Sequence, residues 1–301
     1  MTAGTLCGVP FSENGLAGSG YPSDVAVLGA GIDSGAGDRP GARHGPSAIR
    51  SAPYDSGGPI VPAAGKASSG QISVVDTGDC AVVPAEHDAS IDELRRRARA
   101  IVPNTRCLVT LGGDNSVILP AMEALAERHG RLTLLHFDAH TDTWGEGASL
   151  LTHATVVRRA VEGGLVRRGH QIGIRGYGPF GETLRWGEEH GLTCWTMEDL
   201  DALGLGEALL GIVADVAGPV HLSVDIDVLD PAYAPGTGTP EPGGLTSRQL
   251  LRAISFLARR LDVVGFDVVE TSPPHDRAGI TAIVAQRCVM ELIAAKAATA
   301  G

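Results

Sequence analysis

Short apolar runs rich in β-branched residues alternate along this chain with stretches of helical spacing, and that alternation restricts the fold more than any other feature. Runs at Val25–Leu28, Ile72–Asp76, Cys107–Leu111, Leu132–Phe137, Gln171–Ile174, Thr193–Trp195, His221–Ile226 and Val263–Val268 read as strands. Helical stretches lie between most of them, for example Asp92–Ile101, Pro120–His129, Thr155–Glu162, Ser247–Arg260 and Gly279–Ala297. This order predicts an α/β fold: a three-layer sandwich whose central, mainly parallel sheet of about eight strands is covered on both faces. There is no internal repeat or low-complexity linker, and Gly and Pro mark loops throughout. One domain over residues 24–301 is expected, preceded by a Gly/Ser/Pro-rich N-terminal extension over residues 1–23.

Sheets of this kind bind ligands beyond the carboxyl ends of their strands, so the residues that follow each strand matter most. Leu111 is followed by Gly112-Gly-Asp-Asn-Ser116, Phe137 by Asp138-Ala-His-Thr-Asp142, Val224 by Asp225-Ile-Asp227, and Val269 by Glu270. Asp138, His140 and Asp142 alternate at a spacing of two, which in extended backbone turns all three to one side. Asp225 and Asp227 repeat the pattern. A lone Asp-x-Asp at a strand end is ordinarily a turn or a helix cap; both motifs together, each after an apolar strand, point to a shared cavity. Four carboxylates crowded there repel one another and cannot all stay ionised unaided. Two divalent cations balance the four charges, with neutral His140 as a nitrogen donor. Such mixed ligation suits Mn²⁺, with Zn, Fe, Co and Ni as competitors.

Composition narrows the partners. A formal net charge of −11 argues against nucleic acid. No apolar run approaches the roughly 20 residues that span a bilayer, so no membrane partner is expected. The N-terminus lacks a basic segment followed by an apolar one, and the five scattered cysteines include no Cys-x-x-Cys, which fits a cytoplasmic, reducing location.

The motifs resemble those of the ureohydrolase (arginase/agmatinase) family, nearest its agmatinase and proclavaminate-amidinohydrolase branch. Residues 39–50 (RPGARHGPSAIR) resemble the family's N-terminal signature, 112–116 its first metal motif, 138–142 its second, 223–240 its long third motif, and 270–273 (ETSP) its closing acidic motif. The resemblance implies a two-metal amidinohydrolase that splits a guanidino compound into an amine and urea, assembled as a homotrimer or hexamer. By position, Asp138 and Asp225 would bridge both metals. Asp142, with whatever occupies position 115, would complete metal A; His140 and Asp227 would complete metal B. Glu270 would pair with the substrate guanidinium, and His153 would carry protons to the leaving amine. The chemistry is coherent in itself. A guanidinium carbon is a poor electrophile that needs a strong nucleophile, and the departing amine must gain a proton.

This sequence departs from the family pattern at position 115, where Asn replaces the histidine that ligates metal A. An amide oxygen is a neutral, weaker donor, so metal A is expected to bind more loosely and to favour hard cations. Ala154 and Val157 also depart from the family near His153. The substrate is expected to be agmatine-like or a specialised biosynthetic guanidine, since the Asn/Ser cluster by which arginases hold free arginine is not recognisable. Loops at 143–152 and 176–183 would set the choice, with Trp144 lining the pocket and Glu146 or Glu182 facing a second cation. Two other readings remain: hydrolysis of a different linear amidine or amide, against which Glu270 argues, and a non-catalytic or one-metal relative.

Overall fold

The side chains of one strand show why the chain layers as it does. In β1 (Ser23–Ala30), Val25 and Val27 join one apolar cluster while Ala26 and Leu28 join another. A strand whose two faces are both apolar must be covered on both sides. The computed structural model describes residues 4–37, 39–53, 72–83, 86–145, 151–176 and 180–299. Seven further strands follow: β2 (Val74–Asp79), β3 (Thr105–Gly112), β4 (Leu132–Phe137), β5 (Val166–Ile174), β6 (Leu192–Thr196), β7 (Val220–Asp225) and β8 (Val263–Val269). They form one sheet in the order β2-β1-β3-β8-β7-β4-β5-β6, and every neighbouring pair is parallel. The expected eight-stranded sandwich is therefore present, with no antiparallel member of the sheet among the described residues.

Helices cover each face. On one side lie α1 (Gly45–Ser51), α6 (Met197–Leu203), α7 (Leu205–Asp215), α8 (Ser247–Ala258) and α9 (Ile280–Ala297), which contribute Ile49, Leu200, Leu209, Leu250 and Val289 to the first cluster. On the other lie α2 (His87–Ile101), α3 (Ile118–His129) and α4 (Val156–Glu162), which contribute Leu94, Met122 and Val157. In α2 the buried residues Ile91, Leu94, Ala98 and Ile101 recur at three- and four-residue intervals, the stripe that turns one helix face to the sheet. α5 (Phe180–Glu189) begins inside the stretch expected to be a substrate loop, so Glu182 stands in a helical first turn. No helix among the described residues is long and apolar enough to cross a membrane.

The boundary drawn at residue 23 falls on the first residue of β1. The segment before it is seated on the domain: Leu6 is fully buried, and its N–H donates to Asp76 Oδ2 at 2.8 Å. The same aspartate anchors α1, because Arg50 donates from Nε to Asp76 Oδ2 at 2.8 Å and also reaches Asp79. Both the Arg50 and Asp76 side chains are buried. Arg50→Ala leaves a buried carboxylate without its cation. A loss of roughly 3–5 kcal/mol is expected, read as a lower denaturant midpoint at an unchanged m-value. A loss below about 1 kcal/mol would mean that water reaches Asp76 in the variant.

Candidate metal centre

β3, β8, β7 and β4 are consecutive in the sheet, so their carboxyl ends open side by side although they are scattered along the chain. The loops that leave these ends are laced by backbone hydrogen bonds. Gly113 N–H donates to Ala30 O at 2.8 Å, Asp114 N–H to Ile32 O at 2.7 Å, and Glu270 N–H to Gly113 O at 2.8 Å. Gly113 must be glycine, because a Cβ there would lie 1.7 Å from Ile32 O.

Asp138 follows β4 directly and is fully buried. Its Oδ2 lies 3.0 Å from His136 Nε2, and its Oδ1 lies 3.4 Å from His140 Nδ1. His140 Nδ1 also lies 3.1 Å from Asp227 Oδ2. Asn115 places Nδ2 2.5 Å from Asp142 Oδ2 and 3.4 Å from Asp138 Oδ2. Two groups with metal-ligating spacing result: His136, Asp138 and Asp142, and Asp138, His140 and Asp227. Asp138 belongs to both. Asp225 is buried next to them, with Oδ1 accepting from Asp227 N–H at 3.0 Å, but it lies outside both three-residue groups.

The spacing of two was expected to work through extended backbone. The structure corrects this: the chain bends at Ala139 and His140, and Asp142 has a φ of 51°. Glu270 is likewise left-handed, with a φ of 60°. A carboxylate residue in that region costs about 1–3 kcal/mol, and both residues aim into the site. After β7 the chain turns into a short 3-10 helix at Ile226–Val228, which Asp225 caps.

The electrostatics of the cluster follow from burial and mutual charge. Burial first, and then the Asp138 charge, push the Asp142 carboxyl well above its ordinary range. Burial and the neighbouring Asp227 and Asp138 charges do the same to Asp225. Burial opposes charge on His140, yet Asp227 and Asp138 push it up to about 12. Burial also opposes ionisation of Asp138, but His136 and His140 outweigh it and hold that carboxyl below its usual value. Left alone, then, the cluster keeps protons to offset its own charge, which is the condition that divalent cations relieve. The donors fit such ions. Asn115 Oδ1 is buried without a partner. Turned end for end, its amide would present Oδ1 to the carboxylates, an arrangement made favourable by a cation between them.

Glu270 sits on the rim, buried, with Oε1 accepting from Asn115 N–H at 2.9 Å and lying 3.8 Å from His153 Nδ1. No arginine or lysine among the described residues pairs with it. Burial and the charge on Asp114 push its carboxyl well above the ordinary range. His153 accepts from Gly37 N–H at Nε2, 3.1 Å away. Burial pushes its pKa down, against the pull of Asp114. Trp144 is 39% exposed, and its N–H donates to Ala154 O at 3.0 Å, which ties its loop to the His153 turn. Glu146 lies outside the described residues, and Glu182 is exposed on α5.

Sequence reasoning missed four supporting residues. His136 stands two positions before Asp138 on β4, and strand alternation could have exposed it. Asp114 Oδ2 accepts from Gly35 N–H at 2.8 Å, and Thr239 Oγ1 donates to Asp227 Oδ2 at 3.0 Å. Arg175 Nη2 donates to Asp227 O at 2.7 Å and braces the turn after β7. Asp114 and Thr239 lie inside the motifs at 112–116 and 223–240 without having been given a role, and nothing local in the sequence marks Arg175.

A wholly parallel three-layer sheet with overlapping carboxylate–imidazole groups at its central strand ends defines a class: α/β proteins that hold cations at the rim of the sheet. The profile of the Arginase family matches residues 23–295. Proclavaminate amidinohydrolase of Streptomyces clavuligerus is 38% identical over 278 residues, covering 90% of this chain and 87% of that protein. Guanidinopropionase of Pseudomonas aeruginosa is 39% identical over 291 residues, covering 89% and 85%. The solved structure of the Streptomyces clavuligerus enzyme superposes with a TM-score of 0.85 at 36% identity, covering 98% of this chain and 97% of that one. The chain belongs to the arginase family.

Proposed function

We propose that this chain is a metal-dependent amidinohydrolase that uses two divalent cations, Mn²⁺ by preference, to split a guanidino compound into an amine and urea. Glu270 carries the proposal: a buried carboxylate beside a metal-type cluster, with no arginine or lysine paired to it among the described residues and His153 Nδ1 3.8 Å away. Such a group is a receptor for a cation, and a guanidinium offers both the charge and paired N–H donors. Its relatives include a proclavaminate amidinohydrolase and a guanidinopropionase.

Asp138, Asp225, Asn115, Asp142, His140 and Asp227 would hold the cations, with Asn115 and Asp142 on one side of Asp138 and His140 and Asp227 on the other. When bound, the cations activate a water as nucleophile at neutral pH. Glu270 would hold the guanidinium in one orientation, which turns binding into near-attack geometry. His153 is neutral at rest, since burial and the Gly37 amide on Nε2 both oppose a charged ring. His153, whose side chain is partly open to solvent, would take a proton from water at Nε2 in place of the Gly37 contact and give its Nδ1 proton, on the atom that faces Glu270, to the departing nitrogen. The substrate tail runs past His153 toward Trp144, with Glu146 or Glu182 as candidate partners for a second cation in an agmatine-like molecule. Five unpaired cysteines support a cytoplasmic location; a homo-oligomer, trimer or hexamer, completes the proposal.

Urea release from a panel of guanidino compounds in added Mn²⁺ tests the reading, and no release from any member refutes it. Glu270→Gln keeps the shape and can still accept from Asn115 N–H, but it removes the charge. A fall in kcat/KM of at least about a hundredfold is expected, with metal content unchanged. Near-normal turnover in that variant would point to a neutral amide substrate.

A further inference from the structure

His136 raises a question that distance alone answers wrongly. With Asn at position 115, one cation position lacks its expected imidazole, and His136 stands at metal-ligating distance from Asp138 and Asp142. The hydrogen bonds around the ring decide its role. Nε2 lies 3.0 Å from Asp138 Oδ2 and 3.4 Å from the Asn115 side-chain amide; an ionised carboxylate only accepts, and the Asn115 amide turned end for end offers Oδ1 as a second acceptor, so both neighbours fit a protonated Nε2. On the far side, Nδ1 faces Gln171 Nε2 at 3.4 Å. That amide cannot be turned over, because the same nitrogen donates to Thr141 O at 2.6 Å. Nδ1 is therefore an acceptor, which again places the ring proton on Nε2. A protonated Nε2 has no lone pair for a cation.

We infer that His136 is a positioning residue: with its tautomer set by Gln171, it donates from Nε2 to Asp138 and aims the carboxylate shared by both cation positions. His136, Gln171 and Asp138 are all buried, so the relay Thr141–Gln171–His136–Asp138 is shielded from water. It follows that the position completed by Asn115 draws only on oxygen, while His140 is the single imidazole ligand of the pair. The relay rests on the two-cation proposal above and adds a statement about which atoms touch the ions.

The test compares His136→Ala, His136→Gln and the unaltered protein. Titration with Mn²⁺ alone should show binding about 10- to 100-fold weaker in His136→Ala, the usual cost of removing a partner behind a ligand. The amide of His136→Gln can donate near the Nε2 position, and most of the lost affinity should return. Pulsed EPR of the Mn²⁺-loaded protein should report the same histidine-nitrogen coupling with and without His136. Loss of a nitrogen coupling in His136→Gln, or unchanged Mn²⁺ affinity in His136→Ala, overturns the positioning role. Should both variants fail to fold, ¹⁵N NMR of the unaltered protein loaded with Mg²⁺ decides. A protonated Nε2 on His136 supports the inference, and a protonated Nδ1 with bare Nε2 refutes it. Failure of the two-cation reading looks different: the unaltered protein would then take up fewer than two ions at saturating Mn²⁺.

Discussion

Asp138→Ala is expected to abolish binding at both cation positions and to lower kcat/KM by at least about a thousandfold, beyond the 10- to 100-fold typical of losing a group behind a ligand. Asp138 is the one residue common to both metal-type groups, so its removal does not leave a one-metal enzyme. It also sits at the electrostatic centre, since its charge helps to raise both Asp142 and Asp225. The fold should suffer as well: His136 and His140 hold the Asp138 carboxyl below its usual value, so ionised Asp138 stabilises the metal-free state, and metal-free Asp138→Ala should be less stable than the metal-free parent. Metal analysis after dialysis, activity in excess Mn²⁺ and urea unfolding in chelator check the three parts. Retention of two tightly bound ions would remove Asp138 from its bridging role.

His153→Ala should leave two metals bound and KM roughly intact while kcat falls by roughly 10²–10⁴, the usual worth of a positioned general acid. The ring touches neither metal-type group; its neighbours are the Gly37 amide and, at 3.8 Å, Glu270. Added imidazole should restore part of the turnover, because the space left beside Glu270 accepts a small ring. If His153 only braces the turn over residues 33–37, the variant will lose metal or stability and imidazole will do nothing. Full kcat in the variant would remove His153 from the chemistry. Ala154 and Val157 matter here because Ala154 O accepts from Trp144 N–H and Val157 N–H donates to Asp142 O. The loop that aims the ring is therefore joined to a proposed ligand.

Much of this could be read from the chain alone, because the signals are local. Two-faced apolar runs such as Val25–Leu28 have no stable alternative to a covered strand, and each of the eight expected strands overlaps a real one. Acids placed just after apolar strands marked the rim before any contact was known, since residues at a strand's end cannot sit in its apolar middle. Asn115, Asp138, His140, Asp142, Asp227 and Glu270 do converge there. Tertiary structure decided what depends on distant pairing. That β3, β8, β7 and β4 are neighbours follows from hydrogen bonding between segments more than a hundred residues apart in part, and no local propensity encodes it. The left-handed turns at Asp142 and Glu270 are disfavoured conformations that only surrounding contacts can hold. His136 reads as one more strand residue until Gln171, on the next strand, meets its ring. Spacing could name the acids; which atoms face one another, and which proton sits between them, was settled when the sheet closed around them.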